Sequence, residues 1–157
     1  MSGSGRIEAI LIGSTATEEP RSVASAVAVA GRGLAGDRYH DGVGTWTDWR
    51  GITAGQALTL VEAEALEAAA EELGLEVTGA MARRNVVTRG VSLDALVGQR
   101  FRIGEVDCAG DRPCDPCRHL ERLTAPGLLG ALSGRGGLRA DLLGSGTIRV
   151  GDAVSTA

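Results

Sequence analysis

Glycine sets the grain of this chain. Of its 157 residues 24 are glycine, and they recur between short apolar stretches. Glycine reaches backbone conformations closed to other residues, so this spacing fits many tight turns between short strands. Residues 6–12 alternate weakly and read as a strand, and Val23, Val27 and Val29 suit a second. Residues 57–61, 86–88, 101–103 and 106–108 read as further strands. Two more, 138–143 and 147–150, are joined by a Gly-Ser-Gly turn. Residues 62–73 form the clearest helix, rich in alanine and leucine, with acids in the first turn and Gly74 as the stop. A helical pattern follows the cysteines at 118–123, and another opens at Thr124-Ala125-Pro126 and runs to Leu132. The expected fold is mostly β with inserted helices, an antiparallel barrel or sandwich rather than a doubly wound sheet.

The length fits one domain with a real core. Aromatics make up only 3% of the chain, so valine, leucine, isoleucine and alanine must fill that core. A net charge of −4 gives no field that favours nucleic acid. No apolar run approaches the roughly 18 residues of a membrane span. The first five residues are small and polar, unlike a secretory leader. A cytoplasmic, reduced setting is expected, with thiols rather than structural disulfides.

The densest chemistry lies at residues 111–121, Asp-Arg-Pro-Cys-Asp-Pro-Cys-Arg-His-Leu-Glu. A thiol works as nucleophile or ligand only as thiolate, which neighbouring cations or a helix N-terminus favour. Arg112, Arg118 and His119 supply cations, and Pro116 suits a chain entering a helix. Cys117 is therefore the expected reactive thiol. Cys114 is either its resolving partner, a co-ligand or an unengaged thiol. His119 is a general base for the thiol or a solvent-facing helix residue. Cys108, in a strand pattern, reads as a buried small hydrophobe. Cys114, Cys117 and His119, with His40 or Asp37, would satisfy a zinc ligand count. Residues 31–55 follow no hydrophobic period, and a loop of that length is usually functional or disordered. Its Tyr39, Trp46 and Trp49 suit either a lid or a satellite core. Asp37 and Arg38 either pair or order this loop. All 16 basic residues are arginine, the better clamp for an anion. Arg83, Arg84 and Asn85 suit a phosphate or carboxylate. Gly136 and Gly137 suit close backbone approach, with Arg139 as a further anion ligand.

Several segments, in order, resemble the MOSC-domain family, named after the C-terminal part of molybdenum-cofactor sulfurases. They are Gly33-Leu34-Ala35-Gly36-Asp37-Arg38, Gln56-Ala57-Leu58-Thr59-Leu60-Val61-Glu62, and Arg83-Arg84-Asn85-Val86-Val87-Thr88-Arg89-Gly90-Val91. Residues 96–104, Pro116-Cys117 and Ile148-Arg149-Val150-Gly151-Asp152 follow, the last resembling the family's closing strand. The resemblance covers residues 6–154 as a single domain. It implies a MOSC-type β-barrel-like fold with a cleft that holds the family's cysteine. It implies sulfur handling through Cys117: persulfide transfer, or carbon–sulfur cleavage, on a small anionic sulfur-containing substrate or cofactor. A non-catalytic module that binds or delivers molybdenum cofactor is the alternative. Molybdenum cofactor or a divalent metal such as zinc is admitted; pyridoxal phosphate is not expected, since no desulfurase half accompanies the domain. A homodimer is an open assembly.

Overall fold

The fold was obtained as a computed structural model, which describes residues 4–13, 20–37, 57–114, 127–132 and 134–156. Eleven strands occur among them. They are β1 (Ser4–Ile12), β2 (Arg21–Val23), β3 (Ser25–Val29), β4 (Gly33–Leu34), β5 (Leu58–Glu62), β6 (Val86–Arg89), β7 (Arg100–Ile103), β8 (Val106–Pro113), β9 (Leu138–Leu142), β10 (Gly146–Arg149) and β11 (Ala153–Thr156). Helices are α1 (Ala63–Leu73), α2 (Gly79–Ala82) and α3 (Leu128–Ala131), with one 3-10 turn, Asp94–Leu96.

Seven strands close into a barrel in the order β1-β6-β5-β9-β8-β7-β11, and β11 returns to β1. Every pairing in it is antiparallel except β5 with β6. That one parallel step needs a crossover, and α1 and α2 supply it. β2 pairs with the end of β1, while β10, β3 and β4 form a separate small sheet.

Aliphatic side chains fill the barrel as the composition requires. Ile7, Ile10, Leu58, Leu60, Val86, Ile103, Leu138 and Val154 meet inside around Phe101. The weak alternation of β1 has a physical cause. Its register with β6 shifts between Ile7 and Ala9, so Ile7 and Ile10 both face inward. Leu11 then points outward and packs with Val61 and Val87 beneath Leu66 and Ala69 of α1. α1 ends on Gly74 in the left-handed conformation, φ 67°, as its sequence predicts.

Three boundaries differ from the sequence reading. The expected strand over Val23, Val27 and Val29 is split into β2 and β3, which belong to different sheets. β8 runs five residues past Cys108, to Pro113. The chain's closing strand is β11, not 147–150: Val150–Asp152 is a turn, and Ala153–Thr156 seals the barrel against β1 and β7. The expected helix at 118–123 lies outside the described residues.

Candidate functional site

The segment Arg83-Arg84-Asn85 joins α2 to β6 at one rim of the barrel. Thr78 caps α2, its Oγ1 accepting from Met81 N at 3.2 Å. The helix stops on Arg83, which sits at φ 58° and is the one non-glycine residue with positive φ among the described residues. A side chain in that region costs about 1–2 kcal/mol, so the surroundings must hold it there. The turn sends Arg84 inward, where it is only 7% exposed. Its Nε donates to Gly136 O at 2.8 Å, NH2 to Cys114 O at 3.0 Å and NH1 to Ala82 O at 3.2 Å. One guanidinium thus ties α2 to both the end of β8 and the approach to β9.

Asn85 is equally engaged. Its Oδ1 accepts from Thr59 N at 3.1 Å and from Thr59 Oγ1 at 3.3 Å, and its Nδ2 donates to Leu11 O at 3.3 Å. It knits β1, β5 and β6 together. Thr59, a polar residue inside an apolar strand, is the partner the sequence reading missed; that anomaly was the available signal.

Cys114 lies immediately beyond β8 and is almost fully buried. Its N–H donates to Gly137 O at 2.8 Å, continuing the ladder between β8 and β9. Beside it a cleft of about 380 Å³ is lined by Asp94, Val97, Pro113, Gly134, Gly136 and Gly137. Asp94 opens the 3-10 turn and Val97 closes it. Val97 belongs to the family-like segment 96–104, whereas Asp94 carries no motif and was not singled out. Gly137 is required by packing: its φ is 113°, and a Cβ there would overlap the carbonyl oxygen of Leu60. The close approach expected at this glycine pair is therefore to β5.

Arg139 sits opposite Thr59 on β5 and Arg112 on β8. A second register shift, between Gly110 and Arg112, turns Arg112 onto that outer face, where it pairs with Asp111. Asp37 is completely buried and its Oδ1 accepts from Gly13 N at 3.0 Å, anchoring the start of the glycine-rich loop to the end of β1. Cys108 belongs to the barrel interior, with its thiol 3.7 Å from Val106 O. Burial, and then the Asp107 charge, push that thiol up to about 12, which leaves it an inert small hydrophobe at neutral pH. Arg38, His40, Cys117 and His119 lie outside the described residues. Of the sequence-selected set, the structure gathers Arg84, Cys114 and the Gly136–Gly137 turn at one place, with Arg139 on the adjoining strand. Among the described residues no cluster of three or more His, Cys, Asp or Glu could hold a metal ion.

A closed, mostly antiparallel barrel with a cysteine segment at its rim defines the class of protein. A family model described as the MOSC domain matches residues 37–155, and the chain belongs to that family. The family is associated in general with sulfur and molybdenum-cofactor chemistry. Among solved structures, YuaD from Bacillus subtilis is similar at 19% identity and a TM-score of 0.79, over 96% of this chain and 94% of that one. YiiM from Geobacillus stearothermophilus is 18% identical with a TM-score of 0.74, over 98% of this chain and 75% of that one. YiiM from Escherichia coli is 19% identical with a TM-score of 0.68, over 97% and 69% respectively. At such identities these likenesses speak for the fold. The search of curated proteins gave no match. No helix among the described residues is long and apolar enough to cross a membrane.

Proposed function

We propose that this protein handles sulfur through a reactive cysteine, Cys117, acting on a small anionic sulfur compound in a cytoplasmic, reduced setting. The observation that carries the reading is the clamp on Cys114. A buried guanidinium and a ladder hydrogen bond fix the main chain three residues before Cys117. Rigid support of this kind is what a working side chain needs from its scaffold. The Cys117 thiolate attacks the outer sulfur of a donor persulfide. The S–S bond to the donor breaks, the donor leaves as a thiolate, and Cys117 becomes the persulfide. An acceptor thiolate then removes the outer sulfur and restores the Cys117 thiolate, with no net oxidation. His119 serves as the base that generates the attacking thiolate. Arginines, with Arg38, Arg83 and Arg84 among them, hold the anionic end of the donor, and Asp37 orders the loop that brings Arg38. Cleavage of a carbon–sulfur bond is the variant in which the Cys117 thiolate attacks the carbon of a small thioether conjugate, the carbon–sulfur bond breaks, and the sulfur leaves as a thiolate.

A second reading is a module that binds or delivers molybdenum cofactor; the family association favours it. The donor chemistry at the rim fits the cofactor's phosphate: arginine is the residue of choice for that group, and Arg139 carries a buried NH1 without a partner among the described residues. Metal would fall to Cys117. When bound, the cofactor would supply redox chemistry at its metal; the arginines would bind and orient it. Molybdenum, zinc and sulfane-sulfur analysis of freshly purified protein tests the two together. Sulfane sulfur without molybdenum supports sulfur handling. Stoichiometric molybdenum without sulfane sulfur or turnover overturns it in favour of the cofactor module.

A further inference from the structure

Arg84 holds the Gly136–Gly137 turn and Arg139 follows it by two residues on β9, and neither has an anionic partner among the described residues. Arg84 is nearly buried, and among the described residues its hydrogen bonds run to the carbonyl oxygens of Ala82, Gly136 and Cys114. Three of its five N–H donors suffice for those contacts, so both terminal nitrogens keep capacity. Buried arginine ordinarily has a counter-charge, because removing a cation from water is costly. Arg139 presents a buried NH1 with no hydrogen-bond partner among the described residues. Buried donors without partners are rare enough that each needs a reason. Arg112, which faces Arg139 across the ladder, is by contrast balanced by Asp111.

The register places these groups by the cysteine. Leu138 and Ala140 face the barrel interior, so Arg139 faces outward. Cys114 continues the ladder opposite Gly137, and alternation from Arg112 assigns it to the face of Arg139. Two residues along a strand are about 7 Å apart, so Arg139 stands one pleat repeat from the Cys114 position.

We propose that Arg139, backed by Arg84, forms an oxyanion-binding subsite on the outer face of β8 and β9 that takes the carboxylate or phosphate group of the substrate. A planar oxyanion matches the guanidinium fork, fills the empty NH1 and supplies the missing negative charge. The identity of that anion as a sulfur substrate rests on the reading above; the binding of an oxyanion does not.

The test is calorimetric titration of inorganic phosphate and, separately, acetate into the full chain, with chloride matching ionic strength. One of the two binds saturably: phosphate assigns a phosphoryl group, acetate a carboxylate. Arg139→Gln weakens that binding about tenfold or more, from loss of a charge-assisted fork contact. Arg139→Lys, which keeps the charge, is intermediate and also serves if the glutamine variant fails to fold. Arg102→Gln, removing an exposed cation paired with Asp107, leaves it unchanged. Cys117→Ser also binds the anion normally while losing sulfur, which separates the subsite from the sulfur chemistry. Absence of saturable binding by either anion, or equal binding in Arg139→Gln, overturns the subsite and leaves the sulfur reading to its own assay.

Discussion

Arg84 shows how one side chain can serve a site without touching a substrate's reacting atoms. Its three carbonyl acceptors come from α2, the end of β8 and the turn before β9, so the contacts converge only in the folded chain. Lysine keeps the charge but not the fork, and a single ammonium cannot reproduce three diverging contacts. Arg84→Lys is expected to lower stability by about 1.5–3 kcal/mol, the range for hydrogen bonds to a charged group. Urea unfolding at constant m-value measures this directly. A midpoint equal to that of the parent chain would show that the carbonyl contacts add nothing. Arg83, next to it, holds a left-handed backbone that glycine or asparagine adopts more readily, a conformational cost of the kind found at functional sites.

At the level of elements, the sequence was legible where its period matched the local geometry. α1 was evident from its alanine and leucine content and its glycine stop, and β5 from its apolar run. β1 and β8 were blurred because each carries a register shift, which reverses the inside–outside alternation partway along. In β8 that shift hid the residues leading into the cysteines. β11 was hidden for another reason: Ala153–Thr156 is short and carries one inward apolar residue, Val154. Such a strand is specified by the edges of β1 and β7 awaiting it rather than by its own pattern. At the site, the arginine block and Cys114 could be chosen from residue type. Their roles could not, because the partners of Arg84 lie 52 and 30 residues away in sequence. Gly137 links fold and site at this scale. Gly137→Ala would drive a Cβ into Leu60 O at a φ of 113°, separating β9 from β5 just where Cys114 takes its ladder bond. The expected loss is about 3 kcal/mol or more, combining strained backbone with a steric clash. Thermal unfolding reads it, and an unchanged midpoint would contradict the close approach.

For the molecule as a whole, the closed barrel separates two cysteine environments. Cys108 is sealed inside, and its thiol is raised from an ordinary value of 9.0 to about 12. The folded chain therefore keeps this proton where the unfolded chain releases it. The associated stability is complete below about pH 9 and drains between about pH 9 and 12, by up to about 1.4 kcal/mol per pH unit. Cys108→Ala should be less stable than the parent at neutral pH yet show a shallower alkaline decline. Parallel declines in denaturant midpoint against pH would contradict the assignment. Cys114 is held at the end of β8 by Arg84 and the β8–β9 ladder, and the central claim is that Cys117, three residues on in sequence, carries sulfur. The most direct measurement is intact and peptide mass analysis after incubation with a small persulfide donor, for the parent chain, Cys117→Ser and Cys114→Ser. The account predicts a gain of one sulfur atom on the peptide containing Cys117, its loss in Cys117→Ser, and its retention in Cys114→Ser. Equal sulfur loading of the parent chain and Cys117→Ser would contradict it.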